Sequence, residues 1–129
     1  QYSDASWNKI SGLLTFTINS QPDVPIVWHW GWCATTDEIL QQNLTQINVI
    51  FEADGYVIPK DQLASETYES TDTTYQGWKC QDYLTILRDW KPGTYILKQT
   101  INFSSAINDG KVAFEAGSMF REYTVNISP

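Results

Sequence analysis

With 129 residues, 42% of them hydrophobic, the chain is long enough to close one core without a metal. A net charge of −7, with 15 acidic against 8 basic residues, excludes nucleic acid, whose phosphates need clustered Lys and Arg, and an anionic membrane surface. No apolar run reaches the ~20 residues of a spanning helix, and nothing at Gln1 reads as a signal peptide, so Gln1 is expected to be a processed or cut end.

Residues 1–12 read as a polar N-terminal arm in which Trp7 and Ile10 are the large apolar side chains. Chain ends fray unless something ties them down, so the arm is expected to be held by its own domain or by a neighbour. The domain itself is expected to span 13–129. Its first strand runs from Leu13 to Asn19, with Leu14, Phe16 and Ile18 alternating with Leu13, Thr15 and Thr17. That apolar face is a candidate for strand exchange between subunits; the plainer reading is the first strand of its own sandwich. Pro22 and Pro25 then mark a turn, since neither suits a central ladder.

The stretch Ile26-Val27-Trp28-His29-Trp30-Gly31-Trp32-Cys33 carries half of the tryptophans and the single histidine. As a strand it puts Trp28, Trp30 and Trp32 on one face and Val27, His29, Gly31 and Cys33 on the other. The indoles are either core or subunit interface, or a platform on which sugar rings stack. His29 has no second histidine to share a metal with and reads as a satisfied structural residue. Thr35-x-x-Glu38 has the form of a capping box, with Asp37 and Glu38 suited to the positive end of a helix dipole. Ile39, Leu40 and Leu44 give that short helix an apolar side.

Gln46 to Glu52 reads as a strand with Ile47, Val49 and Phe51 on one face. Asp54-Gly55 supplies the positive-φ positions of a tight hairpin, Tyr56 to Ile58 pairs back, and Pro59 ends it. Residues 60–77 are polar, with one short edge strand around Thr67–Ser70. Trp78 to Arg88 places Cys80, Leu84 and Ile86 on one face and Tyr83, Thr85 and Leu87 on the other. Tyr95 to Phe103 points Tyr95, Leu97, Ile101 and Phe103 inward. Turns follow at Asn108-Asp109-Gly110 and Glu115-Ala116-Gly117-Ser118, and Met119 to Ile127 closes the chain. About seven short strands and one small helix predict an all-β, antiparallel sandwich.

Trp90-Lys91-Pro92-Gly93-Thr94-Tyr95 resembles the corner between strands E and F of fibronectin type III and other immunoglobulin-like domains. There a large apolar residue and Pro-Gly-Thr precede a tyrosine that opens the next strand; Tyr95 stands one position earlier than the usual fibronectin pattern. The Gly31-Trp32-Cys33-Ala34 stretch before a short helix is similar to uncharacterised secreted bacterial domains of this size, a likeness that implies no activity or site. On the immunoglobulin-like topology the tryptophan strand is B and residues 78–88 are E, antiparallel neighbours that bring Cys33 beside Cys80. A disulfide there would stabilise the fold by about 4 kcal/mol in the chain-entropy model; the alternative is two buried thiols. The pairing differs from the B–F bridge of antibody domains.

A cysteine pair, few lysines and many Thr, Tyr and Trp together favour a secreted or cell-surface protein. Asn43, Asn102 and Asn126 open Asn-x-Ser/Thr sequons and are candidate glycan acceptors. Asp54, Asp61, Glu66 and Asp72 are scattered without a calcium-loop spacing. No nucleophile elbow, Cys–His dyad or phosphate loop is present, and no cofactor is implied. The expected function is a non-catalytic extracellular structural subunit acting through protein–protein contacts, with self-assembly by exchange of the N-terminal strand as one form. The alternative is a carbohydrate-binding module built on Trp28, Trp30 and Trp32.

Overall fold

Two sheets pack face to face, one of five strands and one of three. The computed structural model describes residues 12–129; the expectation for an N-terminal arm over 1–12 lies, apart from Gly12, outside the described residues. In chain order the elements are β1 (Leu13–Ser20), β2 (Ile26–Ala34), α1 (Asp37–Leu44), β3 (Ile47–Ala53), β4 (Tyr56–Val57), a 3-10 turn (Lys60–Gln62), β5 (Ala64–Glu69), β6 (Lys79–Leu87), β7 (Gly93–Phe103), β8 (Ile107–Asn108), β9 (Ala113–Phe114) and β10 (Gly117–Ile127). The larger sheet has the order β1-β10-β7-β3-β4, the smaller β2-β6-β5, and β8 and β9 form a separate ribbon. The protein is therefore all-β with one short helix after the second strand, as its alternation patterns predict.

One pair departs from the antiparallel expectation. β1 lies parallel to β10, with Leu14 beside Arg121, Phe16 beside Tyr123 and Ile18 beside Val125. β1 and β10 are neighbours in the sheet but lie at opposite ends of the described chain, so no tight hairpin obliges them to run in opposite directions. Leu14, Phe16 and Ile18 thus point inward from the chain's own sheet, where Phe16 stacks on Tyr123 at 5.0 Å.

The core lies between the sheets. From the smaller sheet come Trp28, Trp30, Trp32 and Ala34; from the larger come Phe51, Leu97, Ile101, Phe103, Met119, Val125 and Ile127. Trp28 meets Phe51 edge-on at 4.9 Å, and Trp32 meets Phe103 and Phe114 edge-on at 5.3 and 5.0 Å. These are favoured geometries for aromatic pairs, in which a positive ring edge faces a negative ring face. Two polar side chains share this interior at facing register positions, Gln99 on β7 and Arg121 on β10. Gln99 is fully buried and donates from Nε2 to the backbone carbonyl of His29 at 2.9 Å, so it ties the two sheets together.

The helix start is shifted from its expected cap. Thr36, not Thr35, is the N-cap, and its Oγ1 accepts the Ile39 amide at 3.2 Å. Thr35 is occupied elsewhere. Its amide donates to the Asp109 carbonyl at 2.8 Å, and its side chain fills the space in which Gly110 lacks a Cβ. The capping box from Thr35 to Glu38 consequently does not form.

Cys33 and Cys80 are directly opposite across β2 and β6 and are joined as a disulfide, with Cα atoms 4.1 Å apart. The bridge lies on the outer face of the smaller sheet, on the side away from the indoles. At the far end of the sandwich the Tyr95 hydroxyl donates to the Lys91 carbonyl at 2.7 Å while Trp90 packs edge-on against its ring. Among the described residues no helix is long and apolar enough to cross a membrane.

Candidate functional site

The two sheets do not close evenly. On one side the edges of β3 and β5 stand apart and leave a cavity of ≈ 180 Å³. Its lining comes from both layers: Ile47, Val49 and Phe51 on β3, Trp30 and Tyr83 on β2 and β6, and Leu44, Leu63 and Ser65 at the margins. Lys60 stands at the rim, where its Nζ donates to Asn48 Oδ1 at 3.1 Å. Trp30 and Tyr83 stack nearly parallel at 6.2 Å, and Trp30 continues onto Trp32 at the same distance. The groove therefore exposes the end of a ring stack whose remainder is buried.

Both walls of the groove are sheet edges. The Gln46 carbonyl accepts from Ser104, and the Asp54 amide donates to Ile96, which turns the even-numbered residues of β3 toward β7. By the alternation of an antiparallel ladder, Ile47, Val49 and Phe51 direct their amides and carbonyls outward. The Phe51 carbonyl is taken by the Ile58 amide at 2.8 Å. β4 pairs only with Glu52 and Ala53, so no described strand lies beside Ile47 and Val49. On β5 the Ser70 amide reaches Trp78 and the even positions face β6, leaving Ser65, Thr67 and Glu69 directed outward. All six residues of β5 are exposed.

Beside this edge, the outer face of the smaller sheet holds a polar group of residues. Gly31 lies beneath Asp82; a Cβ at position 31 would collide with the Asp82 carboxylate, so glycine is what lets that side chain lie flat on the sheet. Asp82 is the register partner of Glu66, the Tyr68 hydroxyl is 3.5 Å from Asp82 Oδ1, and His29 is close enough to act on its charge. Burial raises the Asp82 carboxyl above the ordinary carboxylate range and Glu66 adds to this, while His29 and the Tyr68 hydroxyl pull against it. Burial and the Asp82 charge likewise raise the Tyr68 hydroxyl. Val27, Ile86 and Tyr68 flank the group and are exposed.

The residues singled out in the sequence are placed as follows. Trp28, Trp30 and Trp32 are 4%, 2% and 6% exposed, so they offer no face to a sugar ring, and the platform reading fails on burial. Their layer is covered by Phe51 and Phe103 of the facing sheet and by Phe114 of the β8–β9 ribbon, which meet the indoles edge-on. Asn43 is not a glycan acceptor in this fold. It is buried, accepts the Trp32 indole N–H at 3.0 Å and donates to the Asn108 carbonyl at 3.0 Å. Asn102 and Asn126 sit on the outer face of the larger sheet in cross-strand pairs, Asn102 with Ser118 and Asn126 with Asn19 and Thr94. His29 is exposed on the outer face of the smaller sheet, because its position alternates with the buried indoles.

Asp54 closes the β3–β4 turn by accepting the Ile96 amide, Asp61 is in the 3-10 turn, Glu66 is on β5, and Asp72 accepts the Thr74 amide. Among the described residues no group of three His, Cys, Asp or Glu side chains is placed to hold a metal.

Sequence reasoning missed the groove and the buried pair Gln99 and Arg121. The alternation of β7 and β10 carried the signal for the pair, since both residues fall in the inward register between apolar neighbours. The groove had no local signal, because its walls come from β3 and β5, which do not pair. Comparison with known proteins finds no matching family model, no matching curated protein and no matching solved structure.

Proposed function

We propose that this is a non-catalytic, immunoglobulin-like extracellular module that works through protein–protein contacts, taking an extended segment of a partner protein along its β3–β5 side. The observation that carries the reading is the coincidence of an apolar groove with two unpaired strand edges. Unpaired amides and carbonyls supply main-chain hydrogen bonds to an added strand, and the groove supplies pockets for alternate side chains. The immunoglobulin-like reading draws support from the strand order. Lettered along the chain as A, B, C, C′, D, E, F and G, the sheets are A-G-F-C-C′ and B-E-D. The Tyr95 bond to Lys91 matches the tyrosine corner of that architecture. The disulfide supports an oxidising compartment.

The test is a nuclear magnetic resonance titration of the isotope-labelled protein with extended peptides of basic, acidic and neutral alternating sequence. Saturable shifts confined to residues 47–51 and 63–67 are expected. A groove unperturbed by every peptide would overturn the reading.

A second reading, self-assembly through exchange of β1, draws on one observation. β1 is an edge strand whose Leu14, Phe16 and Ile18 are only half-buried in its own sheet. It predicts a native mass that rises with concentration in light scattering; a monomer at every concentration refutes it.

A further inference from the structure

The charge around β5 narrows what the groove accepts. We infer that the partner segment is a β-strand with basic residues on one face and apolar residues on the other, and that it adds to the free edge of β5. This inference rests on the groove reading above.

The argument starts from the alternation of β5. Ala64, Glu66 and Tyr68 lie on the outer face with Asp82; Ser65, Thr67 and Glu69 face the interior side. A strand hydrogen-bonded to Ser65 and Thr67 places the side chains opposite those two residues toward the groove, where Leu63, Val49 and Tyr83 receive apolar groups. The residue opposite Glu66 falls on the outer face, within reach of Glu66, while Asp82, one strand further in and turned over Gly31, adds negative field behind it. Neither acid has a basic partner among the described residues apart from the field of His29 on Asp82. Lys60 is held by Asn48, and Lys79 is paired with Glu69. A lysine or arginine from the partner pairs with Glu66 there, in the field of Asp82.

The same charges disfavour a second copy of the chain. Antiparallel pairing of β5 with β5 in the register that joins Ser65 to Thr67 would set Glu66 directly against its own copy, between molecules that each carry −7. Edge strands are commonly protected from self-pairing by charge; here the protecting charges are acidic, which leaves the edge open to a strand of the opposite sign.

The probes are acetylated, amidated peptides of alternating lysine and valine, glutamate and valine, and serine and valine, titrated into the disulfide-bonded protein. The lysine–valine peptide is expected to bind saturably, about tenfold or more tighter than the glutamate–valine peptide, and to weaken with added salt. Glu66→Lys should invert the preference. Thr67→Pro removes an amide that β6 does not use, so the fold should hold while binding falls about tenfold or more. If that variant misfolds, N-methylation of alternate amides in the lysine–valine peptide replaces it. One set of methylated positions should abolish binding and the other should not, as strand addition requires.

Three outcomes overturn the inference: equal or tighter binding of the acidic or serine–valine peptide, binding unchanged by Thr67→Pro, or equal tolerance of both methylated sets. In these the groove still takes a peptide and the proposed function stands. Failure of every peptide to occupy the groove removes both.

Discussion

β2 and β5 are the two edges of one three-stranded sheet, both paired antiparallel to β6, and they have opposite fates. β2 turns Trp28, Trp30 and Trp32 into the core and is bridged to β6 by the disulfide. β5 exposes every residue it has. Hydrogen bonding to β6 does not distinguish them. The difference is what lies across the sandwich: β2 faces the aromatic layer of Phe51, Phe103 and Phe114, whereas β5 overhangs the gap beside β3. An edge becomes core where the opposing layer covers it, and stays available to a partner where it does not.

The largest test of that contrast is Trp30→Ala. It removes a stacked indole from under the facing sheet and should cost about 3–5 kcal/mol in urea denaturation. The double change Cys33→Ala with Cys80→Ala frees β2 from its covalent tie and should cost about 2–4 kcal/mol by the same measurement. Asn43→Ala leaves the buried Trp32 indole N–H without its acceptor, for an expected loss of about 1–3 kcal/mol.

The effect at Asp82 is smaller and depends on pH. Its carboxyl is held above its ordinary value of 3.8, mainly by burial, so the native protein binds that proton more tightly than the unfolded chain. Folding gains from this below the ordinary value and loses it as pH rises through the raised native one. Asp82→Asn has no such loss. Urea midpoints measured over a pH series should show the variant gaining on the parent protein across that window, by less than about 1 kcal/mol because the group is largely solvated. Glu69, whose carboxyl is lowered by Lys79, titrates in the opposite sense, but it is present in both proteins and cancels. Last, Thr67→Ala on the exposed edge should stay within about 0.5 kcal/mol of the parent. A loss there as large as that of Trp30→Ala would erase the contrast between the edges.

Much of the fold was legible because strand alternation is a local property. Period-two patterns located the long strands, Asp54-Gly55 located its hairpin through positive φ at both residues, and strand neighbourhood brought Cys33 to Cys80. Local signals failed where distant residues competed. Thr35 looked like a helix cap until the Asp109–Gly110 turn claimed it, and Asn43 looked like a glycan acceptor until Trp32 and Asn108 claimed both ends of its amide.

The amino-acid order alone sets which residues share a face of each strand, because side chains alternate along an extended chain whatever surrounds it. It determined the acidic balance that makes β5 a poor match for its own copy. Which of those faces are covered is set by the packing of the two sheets. The indoles became core and β5 became an open edge because covering depends on how two sheets stack across the sandwich, which no stretch of either strand encodes alone.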